Sequence, residues 1–200
     1  WYRKAADHGS MDAEYVLGAL YTEGAEVVGY SQEKALQWYR RAAEHGHPTA
    51  QFLLGQAYFN GIGDIPKSET IAVQWFQKSA MQHNADAQFY LGYMHYYGMG
   101  GLKRDDEEAV TWFRRSAEQA NANGELYMGL ALYNGWGRAA RDVEKARQLF
   151  RTAAQKGNVQ AQWILGSMYY NGKEMPADLP QAAHWLSLAA QGGHVEAQYT

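Results

Sequence analysis

The fold is decided by a stretch that recurs five times in variant form, AQFLLGQAYFNG at residues 50–61. A glycine preceded by leucine or methionine returns every 37 residues, and a second glycine follows each of these at the same interval. The two columns are Gly18, Gly55, Gly92, Gly129 and Gly166, then Gly24, Gly61, Gly98, Gly135 and Gly172. A period of this length is typical of solenoids built from stacked supersecondary units. The sequence therefore predicts a repeat protein.

A second block of sequence has nearly the same period, a large residue followed five positions later by alanine. The large residues are Trp1, Trp38, Trp75, Trp112, Leu149 and Trp185. Each unit thus reads A-x-x-x-L-G-x-x-Y-x-x-G and then A-x-x-W-[YF]-x-x-[AS]-A. Along the whole chain, this pattern resembles the Sel1-like repeat, which is a relative of the tetratricopeptide repeat. This resemblance implies an all-α fold, a right-handed α/α superhelical solenoid of five helix-turn-helix repeats with partial repeats at both ends. It also implies an adaptor for protein–protein contacts, not an enzyme.

Polar residues suited to helix N-caps divide the chain into repeats. The first helices are preceded by Ser10, His47, Asn84, Asn121, Asn158 and His194, and the second helices by Ser31, Ser68, Asp105, Asp142 and Asp178. Asp105 and Glu108 have the spacing of a capping box. We predict one domain, 1–200, with repeats at 10–46, 47–83, 84–120, 121–157 and 158–193 and partial units at 1–9 and 194–200.

The glycine in the middle of each first helix needs a reason, because glycine there costs about 1 kcal/mol relative to alanine. Its recurrence predicts that a neighbouring helix approaches closely, so leucine in place of Gly92 should break the stack locally. His83 and Ala120 stand where other repeats have a glycine after the second helix. We expect those two turns to be tighter or reshaped.

One side of the first helices is predicted to line the concave groove, by the resemblance to tetratricopeptide repeats. On that side, the residues at equivalent positions of successive repeats are mostly aromatic or amide-bearing and almost uncharged. This argues against a carboxylate clamp, which would need lysine and asparagine there. An apolar or aromatic segment of a partner protein, as an amphipathic helix or an extended strand, fits better. The predicted partner-binding residues are Gln56, Tyr90, Tyr93, Tyr96, Tyr97, Tyr127, Leu130, Tyr133, Asn134 and Ser167. The alternative is that the aromatic residues of this set pack between repeats.

Composition and motifs exclude several other classes. The net charge of −3 provides no electrostatic attraction to nucleic acid or an anionic membrane, and no apolar run reaches the ~18 residues of a membrane span. Without cysteine there is no disulfide or thiol chemistry, and both cytoplasm and periplasm stay open. We find no HExxH or phosphate-binding motif and predict no cofactor or metal. His45 and His47 lack a third ligand, and His95 is expected to be half-buried and hydrogen-bonded.

Two other functions stay open. Aromatic faces also stack on sugar rings, so the solenoid could bind a glycan or inhibit an enzyme. The chain could equally be a spacer, since it begins and ends inside repeat units and reads as a piece of a longer protein with its function in flanking regions. The apolar faces of the cut units would then favour self-association of the fragment.

Overall fold

The computed structural model describes residues 1–25 and 29–199, in which the backbone forms eleven α-helices and one short 3₁₀ helix, with no β-strand. The α-helices are α1 Tyr2–Asp7, α2 Met11–Glu23, α3 Gln32–Glu44, α4 Pro48–Asn60, α5 Glu69–Met81, α6 Ala85–Tyr97, α7 Asp106–Glu118, α8 Ala122–Asn134, α9 Val143–Gln155, α10 Val159–Asn171 and α11 Leu179–Gln191, and the 3₁₀ helix is Glu196–Tyr199. The predicted all-α fold of repeating helix pairs is confirmed. The last residue of the predicted partial unit 194–200 lies outside the described residues.

The chain forms two compact units, Trp1–Arg104 and Asp105–Thr200. In the first unit, α2 packs on α3 and α4 on α5, and further contacts join α1 to α2, α3 to α4 and α5 to α6. In the second unit, α8 packs on α9 and α10 on α11, and α7 contacts α8 while α9 contacts α10. Within a unit, each first helix thus touches the second helix before it, and most also touch the one after it, as in a stacked repeat.

The predicted N-caps are formed. The capping side chains of the first helices accept a hydrogen bond from the backbone N–H three residues later, and the same holds for the second helices. His194 caps the terminal 3₁₀ turn in the same way, through Nδ1. The predicted capping box is wrong in one half: Asp105 accepts from the N–H groups of Glu107 and Glu108, but the Glu108 carboxylate accepts the indole N–H of Trp112 at 2.9 Å.

The turns at His83 and Ala120 are not reshaped, contrary to our expectation. Their φ angles are 62° and 58°, in the left-handed region that glycine occupies at the equivalent turns, for example at Gly157 with a φ of 86°. Both turns make the same hydrogen bonds back to the preceding helix as the glycine turns. The repeat therefore keeps its backbone and tolerates a strain of about 1 kcal/mol at each of these residues.

The glycine column allows the close helix approach that the sequence predicts. A Cβ atom added at Gly18, Gly55, Gly129 or Gly166 would lie within 2.5 to 2.8 Å of a side chain on the following second helix. Those side chains are Tyr39, Phe76, Phe150 and Leu186, respectively. Each glycine is buried, so the side chain it admits fills the space that its own Cβ would need.

We expect Gly55→Ala to destabilise the first unit by about 1 to 2 kcal/mol, because overpacking against Phe76 outweighs the gain in helix propensity. Phe76 is fully buried and cannot move aside. In a Phe76→Val background, which lacks the ring atoms nearest to the added Cβ, the same substitution should cost nothing or stabilise. Urea unfolding of the four proteins measures this cycle, and an equal cost of Gly55→Ala in both backgrounds would contradict it.

A column of buried polar residues, which the sequence analysis missed, lies one position after the buried alanine or glycine near the start of each first helix. Its members are Glu14, Gln51, Gln88, Glu125 and Gln162. The three glutamines donate to a carbonyl near the end of the preceding second helix at 3.1 to 3.2 Å. The residue 31 positions later supplies the partner side chain in three described pairs: His45 for Glu14, Gln82 for Gln51 and Lys156 for Glu125.

Lys156 and Glu125 provide a direct test of this column. The Lys156 ammonium lies 2.6 Å from Oε1 of the buried Glu125 carboxylate, whose Oε2 has no hydrogen-bond partner. Because the Lys156 side chain is 37% exposed, we expect Lys156→Gln to cost about 2 kcal/mol, below the usual cost of breaking a buried pair. The double variant Glu125→Gln with Lys156→Gln recreates the pair seen at Gln51 and Gln82 and should recover most of that loss. Urea midpoints that are equal for the single and double variants would refute the pairing.

His47 makes the first unit sensitive to acid. Its Nδ1 accepts the Ala50 N–H at 3.2 Å, so only a deprotonated Nδ1 can cap α4. Burial lowers the pKa of the His47 imidazole, and the Asp12 carboxylate, 3.7 Å away, opposes this only in part. A depressed folded pKa gives stability that is present above the unfolded value near 6.5 and is lost as the pH falls through the folded value.

We therefore expect His47→Asn, which introduces the cap residue of three other repeats, to remove an acid-induced loss of about 1 kcal/mol. Thermal melts from pH 7.5 to pH 5 measure the loss. The exchange of exposed His184 for asparagine is the matched control and should leave the profile of the wild type unchanged. An unaltered profile in His47→Asn would show that this cap does not titrate.

Candidate partner-binding site

The ten predicted partner-binding residues fall into two patches, one in each unit. The first-unit patch consists of Gln56, Tyr90, Tyr93, Tyr96 and Tyr97, on α4 and α6. The second-unit patch consists of Tyr127, Leu130, Tyr133, Asn134 and Ser167, on α8 and α10. In both patches, positions three and four apart on a helix place side chains side by side on one face.

The first-unit patch is a cluster of tyrosines at the end of α6. The Tyr93 and Tyr97 ring centroids are 4.6 Å apart, and the Tyr96 and Tyr97 rings meet edge to face at 4.9 Å. Burial raises the pKa of the Tyr93 phenol, and the neighbouring phenols of Tyr97 and Tyr90 raise it further. The Tyr93 phenol is therefore neutral at physiological pH. Tyr97, 53% exposed, is the member most open to a ligand.

Tyr90 and Tyr127 pack on buried residues of the preceding second helix. The Tyr90 ring stacks on fully buried Phe76 with centroids 4.9 Å apart, and the Gln56 amide donates to its hydroxyl at 3.4 Å. The Tyr127 ring is tilted against that of Phe113, with centroids 5.0 Å apart. These contacts favour the alternative of packing between repeats for these two tyrosines, and their part in partner binding stays a prediction.

The second-unit patch borders an apolar cleft of about 400 Å³. Buried Phe150 forms part of its wall, together with Leu130, Ile164 and Met168. The other lining residues are Tyr133, Asn134, Gln160, Trp163, Ser167, Asn171 and Lys173. Four of the five predicted residues of this patch thus line one cavity.

The cleft exists because repeat five lacks side chains that earlier repeats have. Ile164 occupies the position of Tyr90 and Tyr127, so no tyrosine ring stacks on Phe150 from α10. Ser167 occupies the position of Tyr93, which also leaves room. A smaller cleft of about 190 Å³ in the first unit has the same origin, since Leu53 replaces the tyrosine beside Tyr39.

The mouth of the second-unit cleft carries amides and one cation. Asn134 and Asn171 each donate through Nδ2 to the carbonyl four residues earlier, both at 2.9 Å. Arg141 is paired with Glu174 at 2.5 Å and lies 5.8 Å from the Tyr133 ring centroid. Lys173 is exposed and makes no ion pair within the part of the chain that the structure describes.

The other candidate sites have less structural support than these two patches. Within residues 1–25 and 29–199, no three His, Cys, Asp or Glu side chains group as metal ligands would, and no helix there is both long and apolar enough to cross a bilayer. His45 instead binds the buried Glu14 carboxylate through Nδ1 at 2.7 Å. His95 is half-buried as expected, but the expected hydrogen bond is not made at Nδ1, which is buried without a partner.

The family model of the Sel1 repeat matches residues 1–10, 12–47, 48–84, 85–121, 122–158 and 159–194. The chain belongs to the Sel1 repeat family. Proteins of this family are generally non-catalytic scaffolds for protein–protein interaction.

Two solved structures resemble this Sel1 chain in sequence as well as in fold. A Sel1 repeat protein from Oxalobacter formigenes is 34% identical with a TM-score of 0.82, and the match covers 94% of this chain and 74% of that one. A protective antigen of uropathogenic Escherichia coli is 36% identical with a TM-score of 0.81, over 98% of this chain and 41% of that one, so this chain spans about two fifths of that antigen.

A third solved structure shows the fold alone. A putative Sel1 repeat protein from Klebsiella pneumoniae is 20% identical with a TM-score of 0.58, over 99% of this chain and 94% of that one. No curated protein sequence matches this chain.

Proposed function

We propose that this Sel1 repeat chain is a non-catalytic scaffold whose two patches each bind an apolar or aromatic segment of a partner protein. The observation that carries the proposal is the cleft beside Phe150, which the chain's own side chains leave open. An apolar cavity with a few polar groups at its mouth is the usual form of a binding site. Exposed Tyr97 in the first-unit patch adds the residue type that dominates binding hot spots.

Ser167→Tyr tests this proposal by filling the cleft with a side chain that repeat three already has at this position, Tyr93. The stack should therefore tolerate it. Tagged wild-type chain captures partners from soluble and envelope fractions of the source cell, and each identified partner is then titrated in purified form by calorimetry. We expect Ser167→Tyr to weaken the affinity at least about tenfold, the effect of losing one buried anchor side chain.

Two controls separate the cleft from general effects of the substitution. Ser167→Ala keeps the cleft open, and Gln155→Tyr places the same ring on an exposed position of α9 outside the cleft. Both should bind as the wild type does, and circular dichroism should show equal helicity in all variants. A partner whose affinity is unchanged by Ser167→Tyr, and also by Tyr97→Ala, would show that neither patch is its binding site.

A glycan ligand is the second candidate, because Trp163 lines the cleft with an aromatic ring, which also stacks on His194 with centroids 4.9 Å apart. Glycan-array binding by the wild type that is lost in Ser167→Tyr would favour a sugar over a protein segment.

A further inference from the structure

We propose that the cleft beside Phe150 binds a short extended peptide in which an apolar side chain lies next to a carboxylate. This inference rests on the proposed function and deepens it, because it names the chemistry of the partner segment. Three features of the cleft support it: its apolar wall, the two asparagines at its mouth and the single unpaired cation.

The apolar wall selects an apolar anchor. Phe150, Leu130, Ile164 and Met168 contribute hydrocarbon surface to a cavity of about 400 Å³. That volume is near the lower end of the range for small-ligand sites, roughly 300 to 1,000 Å³. It therefore suits one or two side chains of a peptide, which would replace the contacts that a tyrosine makes with the equivalent phenylalanine in the preceding repeats.

The two asparagines favour an extended segment over a helix. Asn134 and Asn171 occupy equivalent positions in successive repeats, and the same 2.9 Å bond to the preceding turn orients each amide. After that bond, each amide still has its oxygen and one N–H for a ligand. An extended peptide has unpaired backbone N–H and C=O groups that can use them, whereas a helix has already paired its own.

The charge at the mouth favours a carboxylate. No residue that lines the cleft is acidic, and Lys173 is its one charged side chain. The nearby Arg141 is neutralised by Glu174 at 2.5 Å, so the lysine charge is the one left uncompensated there. A single cation beside an apolar wall suits one acidic group on a peptide, from an Asp or Glu side chain or from a chain terminus, and not a polyanion.

The test begins with a phage-displayed library of random dodecapeptides, selected on the wild-type chain, and the enriched clones are then tested for binding to Ser167→Tyr. We expect the enriched sequences to share an apolar residue with Asp or Glu within a few positions, or an apolar residue at a free C-terminus. Synthetic peptides of the best sequence then identify which carboxylate the cleft recognises. They carry a free or an amidated C-terminus, and each Asp or Glu is exchanged in turn for Asn or Gln.

Two charge reversals then examine Lys173. Lys173→Glu should weaken the best acidic peptide by about fivefold to tenfold, more at low salt than at high salt. Arg114→Glu, an exposed residue of α7 that does not line the cleft, changes the net charge by the same amount and should have less than about a twofold effect. The double substitution of Asn134 and Asn171 by alanine, or N-methylation of the peptide backbone beside the anchor, should also weaken binding.

The outcomes separate the two levels of the proposal. Peptides whose binding is lost in Ser167→Tyr but which show no acidic preference and no response to Lys173→Glu would overturn this inference and leave the proposed function intact. Peptides that bind equally to Ser167→Tyr would count against the cleft itself and thus against both. A library in which nothing is enriched overturns the inference, and the proposed function is then decided by the titrations with captured partners.

Discussion

Within each unit, the structure depends on the close approach of a first helix to the second helix that follows it. The glycine in the middle of the first helix removes the one atom, a Cβ, that would collide with the facing side chain, as at Gly55 and Phe76. The cost in helix propensity, about 1 kcal/mol, is offset because a whole ring is buried in the space. The Phe76 ring also stacks on Tyr90 of the next first helix, so one residue contacts the helices on both sides of α5.

That geometry explains how a uniform stack acquires an individual site. Where the next first helix supplies a tyrosine, as at Tyr90 and Tyr127, the ring beneath it is covered and the surface is closed. Where it supplies an aliphatic residue, as at Ile164, a cleft is left beside Phe150. The site is thus made by side chains that are smaller than their equivalents. No repeat has to depart from the shared backbone.

The buried polar column shows a second way in which repeats differ without changing the fold. The side chain of each member forms a hydrogen bond with a backbone carbonyl or a side chain of a neighbouring second helix, but the charge of the pair varies. Glu125 pairs with Lys156, whereas Gln51 pairs with Gln82. A buried carboxylate needs a charged partner, so a glutamate in this column depends on the residues that face it. Both members of each pair lie in the same repeat, so the two positions of one repeat are constrained to change together.

By itself, the sequence determined the helix pairs and their N-caps, because these depend on residues close together in the chain that recur at a fixed period. It failed locally at Glu108, whose carboxylate prefers an indole one turn on, and at Ala120, where the backbone overrides the residue's own preference. The tertiary structure decided that Glu14 is buried with a partner and that a cleft opens beside Phe150. Both depend on which side chain of one helix lies over which position of another, and only the packed helices determine that.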